Sequence, residues 1–109
     1  MPPIGALTDR VQLQRREMVR EDEGGHVTVF VPVATLWSRV RALSARAAFA
    51  ADGAGAAISY GVVLRFRPDV KPGDRFVYRG RQLSVVSAND MNGRRAYLSC
   101  QCSEVAVTG

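Results

Sequence analysis

Apolar and polar positions alternate from Arg10 to Arg16, with Val11 and Leu13 on one side and Gln12 and Gln14 on the other, and the pattern runs on toward Val19. A period of two is that of a strand with one buried face. Gly24-Gly25, within an acidic patch, then signals a hairpin turn, because glycine takes positive φ without a steric cost. The segment "VTVFVPVATLWSRVRAL" is rich in β-branched and aromatic residues. It predicts a strand over Val27–Val31 and another from Trp37 to Leu43. Pro32, which has no N–H for a ladder, places an irregular or helical turn between them. Further on, "ISYGVVLRFRPDV" sets Val62, Leu64 and Phe66 against Val63, Arg65 and Arg67, and Pro68 ends that strand. Pro72-Gly73 marks a turn, Gly80 splits two more strands, Asn92-Gly93 is a strong hairpin signal, and "AYLSCQCSEVAV" closes the chain as a strand. The pattern predicts one all-β domain over residues 1–109, a small barrel or sandwich of about six to seven antiparallel strands.

One stretch breaks the pattern. "ALSARAAFAADGAGAAISYG", Ala42 to Gly61, consists almost entirely of alanine, glycine and serine, and Arg46 and Asp52 are its only charges. Ser44 can cap a helix over "SARAAFAAD", yet only about two turns fit before Gly53 and Gly55, too few to be stable alone. The segment therefore reads as one long loop with room for a short helix. Loops of this length inside a compact domain are usually functional or disordered.

Charge and candidate chemistry narrow the function classes. The net charge is +5, and arginine supplies all the basic residues except Lys71. Guanidinium groups suit phosphate, but a GC-rich genome yields the same excess of Ala, Gly, Val and Arg. Arg65, Phe66, Arg67, Phe76, Tyr78, Arg79 and Arg81 interleave aromatics with arginines, which sets a small basic nucleic-acid-binding barrel as the alternative function. Alternation gives the ordinary account of the same residues, one face core and the other solvated arginine. No catalytic constellation is present. His26 stands alone beside glycines, Glu21, Asp22 and Glu23 form a solvated turn, and Asp69 and Asp74 flank a Pro-Gly corner. "GAGAA" lacks the lysine of a phosphate loop. Cys100 and Cys102 share a strand face, poor geometry for a mutual disulfide and too few ligands for zinc. The chain is expected to be no enzyme and to need no metal or cofactor. No run is long and apolar enough for a membrane span, and "MPPIGALTDR" lacks the pattern of a signal peptide.

Taken in order, "LTDRVQLQR", "DEGGH", "LWSRVRALSA", the small-residue insertion, "VVLRFRPDVKPGDRFVYRGRQLSVVSAND" and "RRAYLSCQC" carry a resemblance over Leu7 to Val105. The chain resembles the head–tail joining proteins of long-tailed phages, also called head completion or stopper proteins, and their counterparts in gene transfer agents. Order and spacing carry the match, since the family's motifs are loose and mostly structural.

The resemblance implies a structural virion protein, made in the bacterial host cytoplasm, that closes the DNA-filled head and joins head to tail. It implies a ring of six or twelve copies in the neck, between the portal/adaptor ring and the tail terminator, around non-specifically held double-stranded DNA. The long loop over 42–61 would face the channel as a gate, with Ser44, Arg46, Phe49, Asp52, Gly53, Gly55 and Tyr60 as its notable members. Small side chains suit copies converging on an axis. Many relatives carry a glutamate early in this loop, where Arg46 and Ala47 stand here. Arg39, Arg41, Arg65 and Arg67 become candidates to face DNA or a neighbouring subunit, with Asp69 or Asp74 of that neighbour as partners for the last two. Trp37 becomes a candidate core or interface residue.

Overall fold

The alternation at the N-terminal end is realised as a barrel wall. The structure, a computed structural model, describes residues 7–43 and 59–105. Strands β1 (Asp9–Arg20), β2 (His26–Ala42), β3 (Tyr60–Arg65), β4 (Arg75–Tyr78), β5 (Arg81–Asp90) and β6 (Tyr97–Glu104) form one antiparallel sheet. It closes into a barrel in the order β1-β2-β3-β6-β5-β4. Val11, Leu13, Val62, Leu64, Phe76 and Leu83 point inward and are fully buried, with Cys100 and Cys102 beside them. Closure removes the open edge where all six strands pair, while β2 before Ser38 keeps one side unpaired among the described residues.

Two expectations change. The segment after the first turn is one strand of 17 residues, not two. Pro32 opposes Gln14 within it, and a register shift after Leu13 leaves Val33 as an extra residue on β2. The bulge absorbs the proline, and β2 has only one paired side at that point, so the missing N–H interrupts no second ladder. The strand ladder also reaches further into the small-residue segment than its composition indicates. Ala42 pairs Tyr60, Arg41 pairs Gly61, and the Leu43 N–H donates to the Ser59 carbonyl at 2.9 Å. Pairing with β3, itself held by β6, fixes residues whose own propensities leave them open.

The turns follow local chemistry. Arg79 (φ 49°) and Gly80 (φ 78°) join β4 to β5, and two successive positive φ values match the right-handed twist of the flanking strands. Asn92 (φ 60°) and Gly93 (φ 66°) sit in a 3₁₀ turn over Met91–Gly93, within a longer connection than a two-residue hairpin. Asp74, nearly buried, fastens the connection before β4. Its carboxylate accepts from the Arg16 N–H at 3.2 Å and the Lys71 N–H at 3.0 Å.

The β1–β2 hairpin outgrows the barrel. β4 pairs β1 only through Gln12–Gln14, and β3 pairs β2 only through Ser38–Ala42. The remainder, out to Arg20 opposite His26, stands as a two-stranded arm with the acidic turn at its tip.

Candidate functional site

The arginines singled out from sequence fall into two groups. Arg39 and Arg41 lie exposed on β2, opposite Val63 and Gly61, at the barrel end where residues 44–58 join β2 to β3. Arg65 ends β3 beside Tyr97, at the opposite end of that strand from the connection. Five residues of strand separate Arg65 from Tyr60, about 17 Å at the usual rise. Arg67 is engaged within the chain. Its Nε and Nη2 donate to the two carboxylate oxygens of Asp69, each at 2.9 Å. That contact lowers the Asp69 pKa and raises that of Arg67. Asp74 is held by main-chain donors and nearly buried.

Of the gate residues, Ser44, Arg46, Phe49, Asp52, Gly53 and Gly55 lie outside the described residues. Tyr60 is placed in β3, packed against the core, with its hydroxyl accepting from Arg81 Nη1. Trp37 is not a core residue. It is 56% exposed on the outer face of β2, with the Arg10 guanidinium 5.0 Å from its ring centroid. The strand period explains why: Ser38 takes the inward position, where its hydroxyl donates to the Asp9 carbonyl at 3.1 Å.

Beside Trp37 lies an open apolar groove of about 840 Å³, lined by Leu7, Leu36, Leu64 and Phe66 and rimmed by Arg65. It forms because β2 and β3 part after the Ser38–Leu64 pair. From His26 to Trp37, the side of β2 away from β1 has no strand partner among the described residues. Sequence reasoning missed this edge, although "VTVFV" contained the signal. Valine and phenylalanine occupy both faces of that stretch, and a single barrel wall covers only one.

The aromatic-arginine set has little left for stacking bases. Phe76 is fully buried, and Phe66 and Tyr78 pack against the core. Arg95 and Arg79 lie over Phe66 and Tyr78 at 5.1 and 5.3 Å. Arg75 sits 3.5 Å from the centre of the Phe30 ring, and burial lowers its pKa. Among the described residues, no three His, Cys, Asp or Glu side chains come together as metal ligands would.

The two thiols are unpaired core residues. Burial pushes Cys100 up to about 12, and burial together with Cys100 raises Cys102 as well. An unfolded thiol ionises near 9.0. The folded chain therefore holds these protons where the unfolded chain releases them. The thiols' contribution to stability is intact below pH 9 and falls as pH climbs toward the folded values. Native protein at pH 8 is expected to resist an aromatic disulfide reagent over hours and to react within minutes in denaturant. Denaturation midpoints are expected to decline above pH 9. Rapid labelling of the native chain would overturn this placement.

The chain matches the family described as phage head completion protein over residues 2–105. A solution structure of a protein from Shigella flexneri 2a is similar at TM-score 0.76 and 25% identity, covering 96% of this chain and 98% of that one. A chain in the virion of a native gene transfer agent particle has the same fold at TM-score 0.68 and 22% identity, covering 98% and 100%. No curated protein matches the chain by sequence.

Proposed function

The chain belongs to the phage head completion protein family, and from that membership we propose that it is a structural protein of the virion neck, closing the DNA-filled head and joining it to the tail. The observation that carries the reading is the family match over nearly the whole chain. The barrel is consistent with it. Six strands close on a small core, and the connection over 44–58 leaves from one end between Ala42 and Tyr60. In this reading copies of the barrel form a ring of six or twelve between the portal/adaptor ring and the tail terminator. That connection turns toward the axis and gates the DNA channel. The exposed Arg39 and Arg41 flank its root, suited to phosphate passing close by without sequence preference.

The test is electron microscopy of particles made by host cells lacking this gene. Separate tails beside untailed heads that leak DNA are the expected result. Normal tailed particles would overturn the neck reading and leave the basic barrel as a free nucleic-acid binder, whose affinity must then fall steeply with salt.

A further inference from the structure

Two surfaces of this chain are unsatisfied, and they are complementary to each other. The first is the far half of the β1–β2 arm. An isolated two-stranded hairpin is at best marginal in water, yet this one projects past its last contacts with β3 and β4. Val19 and Val27 face each other across it and are 46% and 42% exposed, with Met18 at 66% on the other face. At the tip stand Glu21, Asp22 and Glu23, all exposed. The second surface is the seam where β2 and β3 part. It offers an apolar groove floored by Leu36, Leu64 and Phe66, Arg65 at its rim, and the exposed Trp37 with Arg10 stacked over its ring. The arm is apolar with three carboxylates at its tip against one cation there, Arg20, while Arg15 farther back is paired with Glu17; the seam is apolar and bordered by arginine.

We infer that the β1–β2 arm of one copy docks over the β2–β3 seam of a second copy, its valines covering the groove and its acidic tip meeting Arg10 and Arg65. The arm and the seam are different patches of one chain, so the contact is heterologous. Each copy uses its arm on one neighbour and its seam on the other, and such contacts close into a ring when the rotation permits. Association of unlike charges adds register to apolar burial that has none of its own. The free main-chain edge of β2 from Val33 to Trp37 lies along the same seam, open to added strand pairing. The inference deepens the neck reading by naming the subunit contact, and rests on that reading for the ring itself.

Asp22→Cys on the arm and Thr35→Cys on the exposed seam supply the test, with a short bismaleimide as cross-linker. Cys100 and Cys102 are buried and stay silent. The chain carrying both substitutions is expected to form a covalent ladder of dimers, trimers and larger species, both as concentrated purified protein and in particles. Each single variant alone is expected to give none, and a mixture of the two singles is expected to stop at dimers. Self-linking of Asp22→Cys alone would mean a symmetric contact and overturn the inference. So would the absence of a ladder in both preparations. If particles without a ladder still contain the chain and hold their DNA, the docking mode fails and the neck reading stands. If the chain is absent from particles, the neck reading fails, and the purified protein alone decides the contact.

Discussion

Phe76→Ala is expected to lower folding stability by about 3–5 kcal/mol, the usual cost of deleting a fully buried aromatic ring. Phe76 is the largest of the fully buried side chains and has no solvent exposure. It sits on β4 opposite Leu13 of β1 and Leu83 of β5, so its ring fills the interior where three strands meet. The four residues of β4 give the barrel little else with which to hold that wall closed. Domains of this size have about 5–15 kcal/mol in total. The loss should lower the melting temperature by roughly 12 °C or more, read by circular dichroism. Met18→Ala, on the exposed arm, should move it by no more than a degree or two. A Phe76→Ala chain that melts with the wild type would mean that the ring does not fill the barrel.

Replacing residues 44–58 by a four- or five-residue glycine-containing turn is expected to leave the barrel intact and abolish DNA retention. The fold should survive because the root of the connection is already closed. The Leu43 N–H donates to the Ser59 carbonyl, and the ladder runs on through Ala42–Tyr60 to Ser38–Leu64. The melting temperature should therefore stay within a few degrees of wild type. The proposed gate would be gone, and the fraction of packaged DNA open to nuclease should rise from a few per cent to most of it. Heads that keep their DNA with the shortened chain would sink the gating role while leaving the structural neck role to the gene-deletion experiment. A chain that no longer folds would instead show that the connection contributes to the barrel.

Much of the fold was legible in the chain because a strand exposed to water on one side writes its period into the sequence. Val11 and Leu13, Val62 and Leu64, and Cys100 and Cys102 all show the alternation, and all are buried. The turns were legible for a different reason. Gly80 and Asn92-Gly93 adopt backbone angles that few other residues tolerate, so composition alone marks them. Pro32 misled for a physical reason: its cost depends on whether a second strand needs its N–H, which no local pattern records. Trp37 was ambiguous because an exposed tryptophan and a core tryptophan look alike until the parity of the strand is anchored by Ser38. The joining of Arg67 to Asp69, two residues away, depends on the turn that follows β3 and so has no signature in the alternation.

By itself, then, the sequence determined the all-β character, the inward set of side chains and most turns, since each depends on residues close together in the chain. Tertiary structure alone decided that the sheet closes, with β3 between β2 and β6 and β4 between β1 and β5. It also decided that β1 and β2 outrun their neighbours to leave an arm, and that the parting of β2 and β3 opens a groove beside Trp37. These features come from differences in strand length and register between segments far apart in sequence, and such pairings leave no mark on the local alternation that a single chain displays.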